Sequence, residues 1–205
     1  MRILLVLLLL PQFLLPLTAK VWKLWPTTTV NKPYQTASGV AFDFPQAPET
    51  ANYFLSKFSR DVSSHVTATF RITTSQGAAF TFCGIECGNP GTRPPNVRFY
   101  LEQHGWNSGC NWNDPNTPCQ YRRWWSNPAS QDLEAGDFTL SELLAPDKWS
   151  SVFGRTGMEN PAAFQSALNN LERVGFSFGG GSFFGHGVSV TDGTAIFELL
   201  NFEIQ

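Results

Sequence analysis

The chain has 205 residues, 14 of them basic and 16 acidic, for a net charge of −2. So mild a charge argues against nucleic acid or an anionic membrane surface as the partner. Charged residues make up only 15% against 18 Phe and 7 Trp, a balance found in extracellular β-proteins.

Residues 1–19 read as a secretory signal peptide. Arg2 gives a positive start, Ile3 to Leu10 is unbroken apolar sequence, the run resumes to Leu17, and Leu17-Thr18-Ala19 offers small-residue cleavage after Ala19. A membrane anchor is the other reading. Pro11, Gln12 and Pro16 break the run, and a retained span needs roughly 20 apolar residues. No later stretch could cross a bilayer. Residues 20–205 are then expected to form a single domain, secreted or periplasmic, with no repeat and no low-complexity linker. The loss of Arg2 brings its net charge to −3.

Residues 20–37 carry Pro26, Thr27 to Thr29 and Pro33 and read as an extended lead-in or first edge strand. Gly39 to Phe44 is a strand ended by Pro45 and Pro48, and Tyr53, Phe54, Leu55 and Phe58 mark another. Val66 to Thr73 shows the clearest period of two: Val66, Ala68, Phe70 and Ile72 inward, Thr67, Thr69, Arg71 and Thr73 outward. Ala79 to Cys83 follows a turn, and Gly88 to Pro95 is a loop. In Asn96 to His104, Val97, Phe99 and Leu101 take the core phase and leave Arg98, Tyr100 and Glu102 outward.

Gly105 to Pro118 is a long Asn/Gly/Pro loop. Tyr121 to Ser126 is a short strand with Tyr121, Arg123 and Trp125 on one side, and Asp137 to Leu144 is a further strand. Two short surface helices are expected. One covers Pro146 to Phe153, closed by Gly154. The other starts at Asn160 as cap with Pro161 first, and carries a stripe of Phe164, Leu168 and Leu171.

In GFSFGGGSFFGHGVSV (Gly175 to Val190), Val174, Phe176 and Phe178 alternate with Gly175, Ser177 and Gly179. Phe184, His186, Val188 and Val190 alternate in turn, and the stretch reads as a hairpin about a glycine turn. Its Gly/Ser edge implies close approach of an aromatic from another layer, or of a ligand. Asp192-Gly193 is a turn, and Thr194 to Ile204 closes the chain with a bulge signalled between Leu199 and Leu200. About nine to eleven short strands with little helix predict an all-β fold, an antiparallel β-sandwich of jelly-roll type.

Four cysteines at 83, 87, 110 and 119 read as two disulfides in a secreted chain. All three pairings of Cys83, Cys87, Cys110 and Cys119 are open. Their Cys-x3-Cys and Cys-x8-Cys spacings do not match a zinc site. The sequence holds no Asn-x-Ser/Thr sequon.

The ending VGFSFGGGSFFGHGVSVTDGTAIFELLNFEI, Val174 to Ile204, resembles the closing strands of extracellular jelly-roll carbohydrate-binding modules of the galactose-binding-like type. The resemblance implies a glycan or polysaccharide as partner and, in many such modules, a structural calcium ion. No carboxylate pattern here carries that calcium site over. Asn111, Asn113, Asp114 and Asn116 could offer oxygens, but one carboxylate makes a poor site.

Two groups of residues are candidates for the ligand site. Arg98, Tyr100 and Glu102, with Tyr121, Arg123 and Trp125 beside them, could form a sheet face on which an aromatic stacks against a sugar ring while Arg and Glu bind its hydroxyls. Alternatively Tyr100 and Trp125 pack beneath the helix or the loop. Trp106 and Trp112 sit on the cysteine-pinned loop, either displayed to a glycan or folded back as its small core. His186 shares a phase with Val188 and Val190 and is expected to be buried and hydrogen-bonded.

Enzyme readings lack a constellation. Glu86, Glu102, Asp114 and Glu198 show no Glu-x-Asp-x-x-Glu pattern, no Gly-x-Ser-x-Gly elbow is present, and no phosphate loop is found. A lyase using Arg98, Tyr100 and His104 stays open. The sequence reading is thus a secreted, non-catalytic, lectin-like protein without a cofactor. A polysaccharide-cleaving jelly roll and a structural protein of the cell envelope are the alternatives.

Overall fold

A computed structural model describes residues 21–26, 32–59, 62, 64–82, 94–180 and 186–205. The expected signal peptide, Cys83, Cys87 and Glu86 lie outside the described residues.

The fold is an antiparallel β-sandwich. One sheet has six strands in the order β1 (Trp22–Trp25), β4 (Tyr53–Lys57), β11 (Leu171–Gly179), β7 (Asn96–Gln103), β8 (Arg123–Asp132) and β10 (Trp149–Ser151). The other has five: β2 (Tyr34–Gln35), β3 (Val40–Asp43), β13 (Ala195–Ile204), β5 (His65–Thr74) and β9 (Gly136–Leu143). Between these two sheets the chain crosses from β1 to β2, β3 to β4, β4 to β5, β5 to β7, β8 to β9, β9 to β10 and β11 to β13. β11 therefore lies between strands distant in sequence, as the jelly-roll expectation requires.

Alternation builds the core. In β5, Val66, Ala68, Phe70 and Ile72 are buried while their neighbours are not. In β7, Val97, Phe99 and Leu101 point inward. Phenylalanines from both sheets meet between them: the ring of Phe176 lies 5.4 Å from that of Phe197 and 5.7 Å from that of Phe99. Each buried Phe contributes about 1.5–3 kcal/mol relative to exposure. The register of β13 shifts between Leu199 and Asn201, so Leu200 is the extra residue. That bulge returns Phe202 to the core after Leu199, in agreement with the phase slip in the sequence.

The helix α1 (Pro161–Asn169) begins as expected, with Asn160 Oδ1 accepting from the amide of Ala163 at 3.1 Å. Its Phe164 packs edge-on to Trp124, 5.0 Å away. The other expected helix is not formed. Only Pro146–Lys148 makes a 3-10 turn, and the chain then extends as β10. Trp149 is fully buried and its indole N–H donates to Leu143 O at 2.8 Å, which fixes an extended path.

The glycine-rich hairpin is also corrected. β11 pairs with β4 and β7, whereas β12 (Val188–Thr191) pairs with β6 (Ala79–Phe82) in a separate two-stranded sheet. Residues 181–185 lie outside the described residues. At Gly175 and Gly180, protein atoms and not an open space for ligand account for the glycine. At Gly175 (φ +153°) a Cβ would come within 2.2 Å of Phe54 O and 3.0 Å of the Trp22 ring. At Gly180 it would meet the Phe82 ring at 2.5 Å.

A disulfide joins Cys110 to Cys119, which is compatible with an oxidising, extracellular location. Among the described residues, no helix is long and apolar enough to cross a membrane.

Candidate functional site

Residues directly opposite on antiparallel strands share a face. Because Phe54, Phe99, Leu101, Trp124 and Phe176 point into the core, their neighbours are committed to the outer face of the six-stranded sheet. The register sets Trp25 beside Tyr53, Tyr53 beside Ser177, Tyr100 beside Trp125, Trp125 beside Ser150, and Glu102 between Arg123 and Arg173. The Tyr100 ring lies 4.8 Å from Tyr53 and 5.0 Å from Trp125. The expected alignment of Tyr100, Glu102, Arg123 and Trp125 on one face is therefore present.

Several of these groups form a buried layer beneath the surface. Glu102 is only 4% exposed. Its Oε2 accepts from the Tyr100 hydroxyl at 2.8 Å and its Oε1 from Arg173 Nη1 at 2.9 Å. Burial raises the Glu102 carboxyl above its ordinary value, against the opposing pull of the Tyr100 hydrogen bond, Arg173 and Arg123. Burial, and then the nearby carboxylate, push the Tyr100 hydroxyl well above its ordinary value, so Tyr100 remains a donor.

Arg98 has a different task from the one expected. It is buried, its Nε donating to Asn96 Oδ1 at 3.1 Å and its Nη1 to the carbonyls of Ser126 and Asn127 at 3.1 and 3.0 Å. Those carbonyls lie where the β7–β8 register jumps between Arg98 and Tyr100. Arg98 thus secures the irregular stretch of β8. Tyr121 also departs from expectation. It belongs to a 3-10 turn, Pro118–Arg122, so the period of two does not apply. Its ring stacks on Trp124 at 5.8 Å and packs against the main core.

The pinned loop folds back over the sheet. Arg122 Nη1 donates to the carbonyls of Gly105 and Ser108 at 3.0 and 2.8 Å, and the Trp112 indole N–H donates to Asn107 Oδ1 at 2.7 Å. Trp106 and Trp112 are half-buried with ring centroids 6.2 Å apart. Between them and Trp125 sits the Arg123 guanidinium, 4.3 Å from the Trp106 ring, 4.9 Å from Trp112 and 5.6 Å from Trp125. The two expected candidate regions meet at Arg123. The oxygens considered for calcium shape turns instead: Asn111 Oδ1 accepts from the Asn113 amide and Asp114 Oδ1 from the Asn116 amide.

Beside this cluster lies a cavity of about 600 Å³, lined in part by Asn52, Tyr53, Arg123, Trp125, Ser150 and His186. Trp125 is 5% exposed and Ser150 1%. Trp125 Nε1, Ser150 Oγ and Arg123 Nε are buried without a hydrogen-bond partner among the described residues. A buried polar atom left unpaired costs about 1–3 kcal/mol, so these groups at the cavity wall are donors for water or a ligand that enters it.

His186 is exposed at the cavity rather than buried with Val188 and Val190. Desolvation, and then the Arg123 charge, hold its pKa below the ordinary histidine value. Sequence reasoning missed Tyr53, hidden in the continuous apolar run Tyr53-Phe54-Leu55, and Ser150, placed in a helix that does not form.

The enzyme candidates scatter. Glu102 lies on the outer face of one sheet and Glu198 on β13 of the other, while Asp114 is on the exposed loop. His104 is exposed beyond the end of β7, away from buried Arg98.

No protein-family model matches the chain, and no curated protein matches it. Among solved structures, a xylan-binding module CBM15 is similar over 88% of this chain and 94% of its own, with 14% identity and a TM-score of 0.37. At that level of likeness, function has to be argued from the site.

Proposed function

We propose that the chain is a secreted, non-catalytic carbohydrate-binding protein that takes its glycan on the outer face of the six-stranded sheet. The observation that carries this reading is the cavity beside Trp106, Trp112, Trp125 and Tyr53, with unpaired polar groups at its wall. Indole and phenol faces stack on the apolar C–H face of a pyranose, and N–H and O–H groups pair with its hydroxyls. A glycan array of the purified protein tests it. Wild type should give a specific signal that Trp112→Ala reduces about tenfold, one stacked ring being worth about 1 kcal/mol or more. Trp112 is half-buried and outside both cores, so the melting temperature should hardly move. Silence of the folded wild type across a broad array refutes the reading.

A second reading is favoured by one observation. Tyr53, Arg123 and His186 line the same cavity, and an arginine with a neutral histidine and a tyrosine suits a lyase that removes a proton beside a sugar carboxylate. Polymer cleavage producing an unsaturated, ultraviolet-absorbing end and lost in His186→Ala would establish it.

A further inference from the structure

Arg123 and Arg173 both lie opposite Glu102 in the sheet register. Arg173 makes the ion pair, at 2.9 Å, and Tyr100 occupies the second carboxylate oxygen. Arg123 has no ion pair among the described residues and stands against three indole rings. Its Nε is buried without a hydrogen-bond partner, as is Trp125 Nε1 beside it. Among the described residues, those lining the cavity include no Asp or Glu. Arg123 is half-buried with its Nε out of solvent, and a guanidinium presents two parallel N–H donors that match the two oxygens of a carboxylate. The Arg123 charge is also felt across the cavity at His186, where it disfavours protonation.

From this placement we infer that the site selects an acidic sugar, with the carboxylate of a uronic acid residue paired to Arg123 and the adjoining pyranose ring stacked on the tryptophans. The inference rests on the glycan-binding reading and adds the charge of the ligand. A neutral glycan would stack equally well but would offer Arg123 only uncharged hydroxyl acceptors in place of a charged, two-oxygen partner, so discrimination should come from this one residue.

The test is binding of the purified protein to polygalacturonate, alginate and glucuronoxylan, each beside its carboxyl-reduced form, in which –COO⁻ is replaced by –CH2OH. A charge-assisted pair predicts about 10- to 100-fold weaker binding of the reduced form. Arg123→Gln should abolish the difference while leaving residual binding to the neutral polymer. Equal or tighter binding of the reduced forms overturns the inference and leaves the glycan reading intact. Preference for a sulfated polysaccharide over all three acids overturns the carboxylate assignment. Silence toward these polymers and toward a neutral glycan array overturns both readings. The comparison on wild type stands even if the Arg123 variant does not fold.

Discussion

Glu102 shows how one residue holds the site without facing solvent. Its two oxygens collect Tyr100 and Arg173, which fixes the Tyr100 ring between Tyr53 and Trp125. Because burial raises its pKa, the folded protein holds this proton more tightly than the unfolded chain does. The contribution of the group to stability is then complete below the ordinary Glu value of about 4.3 and is lost as pH rises through the folded value. Glu102→Gln does not titrate. Its melting temperature relative to wild type should therefore rise as pH increases across that window, and a pH-independent difference would sink the assignment. Gln can still accept from Arg173, so the variant should remain folded.

At the scale of elements, the edge strand β1 would extend the proposed glycan site. Trp25 is 61% exposed and registers beside Tyr53 on the outer face. From β1 to β8 the sheet order runs through β4, β11 and β7, which at about 4.8 Å per strand places Trp25 roughly 19 Å from Trp125. That span matches several consecutive sugar rings. Trp25→Ala should leave the affinity for a disaccharide unchanged and weaken a longer oligosaccharide by about tenfold. Calorimetry over a length series measures this, and an equal loss at every length would falsify the extended path.

The elements that were legible in the sequence are those governed by local alternation. β5, β7, the bulge in β13 and the Asn160 cap each follow from period or capping chemistry within a few residues. Two features depended on distant partners and were misread. Trp149 is drawn into an extended strand by the core and by Leu143 O, and β12 leaves β11 to pair with β6. In the site, the outward phase of Tyr100, Glu102, Arg123 and Trp125 was readable, whereas the burial of Arg98 beneath a register jump was not. Alternation assigns a face but does not say what covers it.

Across the whole molecule the two outer faces differ in kind. On the five-stranded sheet, exposed polar groups satisfy one another: Arg71 pairs with Asp137 at 2.6 Å, and the hydroxyls of Thr67 and Ser141 meet at 2.9 Å. On the six-stranded sheet, donors remain unpaired at the cavity wall. The cross-link between Cys110 and Cys119 closes only a short excursion that carries Trp112 and lies outside both apolar clusters. Opening it should free the loop and leave the sandwich standing, at a cost of about 2–3 kcal/mol in global stability. Titration with a reductant should therefore abolish glycan binding while lowering the melting temperature by only about 4–12 °C, and loss of the cooperative unfolding transition together with binding would refute this division. On the proposed reading, recognition would be tied to the redox state of the surroundings. On that reading, the chain in a reducing environment would keep its sandwich but lose its grip on sugar, and an oxidising environment would restore it.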